Sequence, residues 1–193
     1  NSAFFVDAGK ISGRYDKLHL VPFGEYVPLR EILPVDKFVP GMLDYSPGQS
    51  HAPLNDTWGV LICYDGIFPE ISREHVLAGA TILANLTNDA WYGVSSAPYQ
   101  HRDFYALRAV ETGRWLARSA NTGISVFFDP KGRMWAPTKH NASAITLYDV
   151  VPHSGQTFYV LLGNWVIALT LGLFLIAGLN MLSRKFKSNA DAA

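Results

Sequence analysis

The stretch that most constrains this chain is Gly59-Val60-Leu61-Ile62-Cys63-Tyr64-Asp65-Gly66-Ile67-Phe68-Pro69-Glu70. An apolar run ends in the only cysteine, and acidic, glycine and proline residues follow at once. That pattern predicts a buried strand leading through a sharp turn into a helix. A side chain at such an elbow points off the sheet edge into the cleft above it, which is how unrelated hydrolases present a nucleophile. A lone cysteine in an arbitrary chain is more often a small buried hydrophobe. Assigning Cys63 as a nucleophile therefore needs support from the rest of the sequence.

The neighbouring segments extend the pattern. Pro69–Leu77 has helix-opening chemistry, and Ala80–Leu86 is a further apolar run. Strand, helix and strand in that order predict a parallel pair in an α/β fold. Thr87–Gly93 then overhangs the same sheet edge as Cys63. Gln100–Thr112 has helical spacing, Leu116–Ser119 and Ile124–Phe128 read as strands, and Asp129–Arg133 as a hairpin turn into Met134-Trp135. Ala144–Val150 reads as a last strand. Upstream, Ser2–Asp7 and Arg14–Pro22 read as strands around a turn at Ala8–Gly13, with a loop over Phe23–Pro28. Pro34, Pro40 and Pro47 make the stretch from Leu29 to Ser50 mostly loop, with a short helix near Leu29–Leu33.

The chain's end differs in composition. No Asp, Glu, Lys or Arg lies between Asp149 and Arg184, and Val160–Leu182 is almost wholly apolar. About 20 such residues suffice to span a bilayer as a helix. The sequence thus predicts a domain over 1–155, a transmembrane helix over 158–183 and a short basic tail over 184–193. Arg184, Lys185 and Lys187 place that tail in the cytoplasm and the domain on the opposite, periplasmic side. An unpaired cysteine in that oxidising compartment points to a reactive thiol. The formal net charge of +0 gives no reason to expect nucleic acid as a partner. The first residue is Asn1, so the chain reads as part of a longer protein.

A thiol needs a group that favours its thiolate, and Lys17, Glu25 and Asp65 are the charged candidates. Lys17 lies in an alternating pattern between Tyr15 and His19, where an inward lysine requires a partner. In acyl chemistry its ammonium would stabilise an oxyanion. His19 reads as structural. No metal-ligand spacing is present, and no cofactor is expected.

Tyr15-Asp16-Lys17-Leu18-His19-Leu20-Val21-Pro22-Phe23-Gly24-Glu25-Tyr26-Val27-Pro28 strongly resembles the lysine-bearing segment of the apolipoprotein N-acyltransferases. These are membrane members of the carbon–nitrogen hydrolase (nitrilase) superfamily. Ile62-Cys63-Tyr64-Asp65 with Phe68-Pro69-Glu70 is similar to their nucleophile segment. Thr87–Gly93, Gln100-His101 and Arg118–Gly123 resemble further parts. The resemblance implies an α-β-β-α sandwich, incomplete here on its N-terminal side, and a Glu–Lys–Cys triad. Lys17 and Cys63 match two of its members, and the glutamate belongs to a segment before Asn1. Glu25 matches a second, orienting glutamate and Tyr64 the residue beside the nucleophile. Asp65 stands where the family usually has Glu. Trp91 and Tyr92 match a loop at the lipid-facing edge, where they would bind substrate. The implied reaction moves an acyl chain from a phospholipid through a Cys63 thioester to the α-amino group of a diacylglyceryl-cysteine on a lipoprotein, at the bacterial inner membrane. A membrane-tethered amidase or nitrilase, or an inactive lipid-binding or lipoprotein-binding scaffold, remains an alternative.

Overall fold

The computed structural model describes residues 1–29 and 44–190, with side chains as far as Met181. The helix expected near Leu29–Leu33 falls, beyond Leu29, outside the described residues. The chain divides into two units, Asn1–Val160 and Leu161–Ala193.

In the first unit, β1 (Ser2–Asp7) and β2 (Lys10–Asp16) pair antiparallel as a small sheet. A five-stranded sheet has the order β3 (Trp58–Ile62), β4 (Ile82–Thr87), β5 (Leu116–Ala120), β6 (Val126–Phe128), β7 (Met134–Trp135). The first three of these run parallel and the last two turn antiparallel. Helix α1 (Pro69–Leu77) connects β3 to β4, and α2 (Ala97–Thr112) connects β4 to β5. Parallel neighbours require such crossovers, which is why helical and strand patterns alternate here.

Successive residues of a strand face opposite ways, so β3 serves two apolar layers. Leu61 packs with Ile71, Val76, Leu83, Tyr105, Leu116 and Phe128 on the helix side. Val60 packs with Ala3, Tyr15 and Leu54 toward the small sheet. The layers run helices, large sheet, small sheet, a nitrilase-like α/β arrangement. Leu61, Leu83 and Leu116 are fully buried, and each such side chain stabilises the fold by about 1.5–3 kcal/mol.

Three expectations change. The second strand is Lys10–Asp16 rather than Arg14–Pro22, because the chain already reverses at Ala8-Gly9, with Asp7 opposite Lys10. Lys17 therefore lies just past the strand end, held by its N–H to the Asn1 carbonyl at 3.0 Å. The segment 144–150 is not a strand. Ile145 and Leu147 are exposed, and the Tyr148 ring instead anchors the segment against Trp115, Phe127 and Trp135. Third, the apolar C-terminus is not one helix over 158–183. It forms α3 (Phe158–Leu162) and α4 (Trp165–Ala190), parted at Gly163-Asn164. Among the described residues, no helix is long and apolar enough to cross a membrane. Hydropathy alone merges Val160, which belongs to the core of the first unit, with the following helix.

Candidate active site

Cys63 directly follows β3 and opens a short 3-10 turn, Cys63–Ile67, with φ 48. A left-handed conformation at a side chain with a Cβ costs about 1–3 kcal/mol and persists only where the surroundings enforce it. Side chains on two sides of the turn supply that enforcement.

Behind the turn lies Asp65, fully buried. Its Oδ2 accepts the Ile62 N–H at 3.0 Å and the Tyr15 hydroxyl at 3.2 Å, and its Oδ1 accepts the His19 N–H at 2.8 Å. The carboxylate thus pins the elbow to the chain around Lys17. Burial pushes its pKa up, against the opposing pull of the two N–H groups and the Lys17 charge. It acts on the backbone and does not line the cleft above Cys63.

Lys17 is 1% exposed. Its Nζ donates to both Glu25 oxygens at 2.8 Å. Glu25 also accepts the Val21 N–H at 2.8 Å, and a tight turn in which Gly24 and Glu25 donate to the Val21 carbonyl folds it back onto the lysine. A buried ammonium without such a partner would cost several kcal/mol.

Cys63, Tyr64, Glu25, Trp91 and Tyr92 line one cleft of about 280 Å³, together with Val21, Gly24 and Asn88. The sequence-predicted residues thus meet there, except Asp65 and Lys17, the latter reaching it through Glu25. Trp91 is 81% exposed at the rim. Tyr92 packs against the His101 ring, and burial with the nearby Cys63 and Asp89 charges pushes its pKa up to about 12.

Beneath the elbow lies a polar network to which the sequence reading assigned no role. The Tyr105 hydroxyl donates to the Cys63 carbonyl, and His101 Nε2 lies 3.4 Å from the same oxygen. His101 Nδ1 is 3.0 Å from Asp89 Oδ1, and Arg118 Nη2 donates to Asp89 Oδ2 at 2.6 Å. Arg118 also donates to Asn85 Oδ1, while Asn85 Nδ2 donates to the Tyr105 oxygen at 2.8 Å and to the Leu61 carbonyl at 2.9 Å. Burial raises the Asp89 pKa, but the His101 hydrogen bond and the Arg118 and His101 charges outweigh it, so the net shift is downward.

Two glycines make room for this floor. A Cβ at Gly66 would lie 2.2 Å from the Tyr105 ring, and one at Gly123 would lie 2.0 Å from Asp89 Oδ2. The signal in the sequence was Asn85 and Arg118 within apolar strands, since buried polar groups demand partners. Among the described residues, no group of His, Cys, Asp and Glu is placed to hold a metal ion.

What this arrangement can do is hold a thiol at a fixed point beside an ammonium–carboxylate pair, with an apolar rim. Residues 1–158 match the carbon–nitrogen hydrolase family. The apolipoprotein N-acyltransferase of Geobacter metallireducens is 48% identical over 165 residues, covering 82% of this chain and 32% of that protein. The chain thus spans about a third of the length of the curated relatives it matches. A carbon–nitrogen hydrolase from Helicobacter pylori shares the fold with a TM-score of 0.56 at 20% identity, over 74% of this chain and 54% of that one. An amidase mutant from Nesterenkonia sp. AN1, carrying the acetamide moiety of fluoroacetamide on its active-site cysteine, matches with a TM-score of 0.51 at 25% identity, over 72% of this chain and 51% of that one.

Proposed function

The chain belongs to the carbon–nitrogen hydrolase family, and from that premise we propose that it is the catalytic part of a phospholipid-to-apolipoprotein N-acyltransferase. The observation that carries this reading is the strained Cys63 opening into the cleft shared with Glu25, Tyr64 and Trp91. The acyltransferase relative supports the choice of substrates.

In this reading the Cys63 thiolate attacks a phospholipid ester carbonyl. A sulfur–carbon bond forms, the carbon–oxygen bond breaks, and lysophospholipid leaves with a proton. The α-amino group of a diacylglyceryl-cysteine then attacks the thioester, giving an amide and returning the thiol. Lys17 and the Tyr64 N–H stabilise the oxyanion of each step. Glu25 orients Lys17, Trp91 and Tyr92 bind lipid at the rim, and Asp65 acts through the backbone. The resemblance to a Glu–Lys–Cys triad implies that the general-base glutamate lies outside these 193 residues.

The lipid substrates call for a membrane location, with the domain at the periplasmic face of the inner membrane. Support comes from α4, where Leu169, Leu171, Leu173, Phe174, Leu175 and Ile176 are all exposed. A helix apolar all round is at home in lipid.

The test joins the chain to its natural upstream sequence and supplies phosphatidylethanolamine with a labelled acyl chain. We expect label on Cys63 that neutral hydroxylamine removes, with release of lysophospholipid. Cys63→Ala and Lys17→Ala should each abolish it. Labelling that persists in Cys63→Ala would sink the assignment. The amidase similarity favours a second reading, hydrolysis of a small amide, which predicts turnover of such an amide and no lysophospholipid.

A further inference from the structure

We infer that Tyr105 is a positioning residue that aims the backbone N–H of Tyr64 into the cleft by holding the Cys63 carbonyl from below. The inference rests on the nucleophile reading of Cys63 and adds a residue to which that reading gives no part.

The Cys63 carbonyl and the Tyr64 N–H belong to the same planar trans peptide, so they point in opposite directions. The carbonyl is fixed by the Tyr105 hydroxyl and faces His101 Nε2 at 3.4 Å. Both side chains are buried, Tyr105 at 0% and His101 at 3% exposure. With the carbonyl drawn into the floor, the N–H turns the other way, toward the side on which Tyr64 and Cys63 line the cleft. An N–H of the residue after a nucleophile is a ready oxyanion donor, and its value depends on its direction being set before the reaction.

Tyr105 is itself fixed by its surroundings. The Tyr105 oxygen accepts from Asn85 Nδ2 at 2.8 Å, so the hydroxyl proton is left for the Cys63 carbonyl. The ring lies under Gly66, where any side chain would collide with it, and the Arg118 guanidinium sits 4.7 Å from its centroid. His101 is oriented by Asp89, which Arg118 holds in turn. Tyr105 does not line the cleft, so it acts through the peptide. The same grip opposes relaxation of φ 48 at Cys63.

The prediction separates two reactions of one thiol. Acylation by p-nitrophenyl butyrate passes through a tetrahedral oxyanion, whereas alkylation by iodoacetamide does not. Both are measured on the 193-residue chain at about pH 9, where an unassisted thiol is largely ionised, so neither needs a general base. Tyr105→Phe should slow acylation about tenfold or more while leaving alkylation within about twofold. His101→Gln, a change beside the same carbonyl that leaves the Tyr105 hydroxyl in place, should slow acylation far less. Thermal melts check that each variant is folded, and Tyr105→Phe preserves the ring that fills the space under Gly66. A parallel fall in both reactions in Tyr105→Phe would reduce Tyr105 to a structural support and overturn the inference. So would acylation at the parent rate in that variant. A parent chain that is alkylated but never acylated would remove the nucleophile reading, and this one with it, an outcome distinct from the other two.

Discussion

Asp65 and Asp89 are both closed off from solvent, at 0% and 1% exposure, yet the clusters around them accommodate burial in opposite ways. Asp65 faces backbone N–H groups and a tyrosine hydroxyl, and burial, the largest influence on it, drives its pKa up. Asp89 faces the Arg118 guanidinium and the His101 ring; burial pushes it up as well, but those partners win and its pKa falls. One carboxylate is a hub for shaping backbone, the other a member of an ionic network. The elbow that carries Cys63 is held from both. The contrast predicts that neutralising each aspartate will have effects of different size and opposite pH dependence.

Asp89→Asn should have the largest effect. It removes the charge that the buried Arg118 guanidinium meets at 2.6 Å, and breaking such a pair costs about 3–5 kcal/mol. Urea unfolding at pH 7 should show that loss. The folded-state pKa of Asp89 is lowered from 3.8, so its ionisation contributes stability above 3.8 that disappears as pH falls through the lowered value. The gap between parent and variant should therefore narrow in acid. A gap that widens there would mean that Arg118 does not hold the carboxylate ionised.

Acid should reach the Asp65 side by another route. The His75 ring lies 5.2 Å from that of Tyr15, the residue whose hydroxyl holds Asp65. His75 is fully buried, and burial depresses its pKa from 6.5 to about 4. The unfolded chain thus binds a proton between those values that the folded one refuses. The stability linked to His75 is complete above pH 6.5 and is lost progressively down to about 4, by about 3 kcal/mol. Unfolding midpoints at pH 7, 5.5 and 4.5 should fall accordingly. In His75→Gln that slope should flatten, and an unchanged slope would remove His75 as its source.

These clusters also show how far the sequence could be read. The run into Cys63, the helix after Pro69 and the strand to Leu86 were legible because each has its own periodicity and punctuation. Lys17 and Glu25 were legible as one site only through resemblance, for nothing local says that a tight turn at Val21 folds one onto the other. The Asp89 network was nearly invisible, because Asn85 of β4, His101 and Tyr105 of α2 and Arg118 of β5 meet only when the sheet forms. The same limit explains why the helix bounds at the chain's end differ from those expected. Hydropathy reports that residues near Val160 are apolar and does not say whether a protein core or another apolar phase receives them. The segment 144–150 alternates like a strand, yet ring packing by Tyr148 decided its course.

The smallest effect belongs to Asp65→Asn, and its sign with pH sharpens the comparison most. Asparagine has one acceptor oxygen where the carboxylate has two. If that oxygen keeps the Ile62 N–H and the Tyr15 hydroxyl, the amide NH2 confronts the His19 N–H, donor against donor. One buried hydrogen bond is lost, at about 1–3 kcal/mol, but no charge is stranded. The folded-state pKa of Asp65 is raised above 3.8. The parent therefore holds its full Asp65-linked stability below that value and loses part of it as pH rises through the raised one. Parent and variant should differ most near pH 3.5 and draw together toward neutrality, the reverse of Asp89→Asn. Urea titrations of both variants at matched pH values decide the point. Two gaps that narrow in the same direction would mean that Asp65, like Asp89, is held as an ion, with Lys17 as its counter-charge.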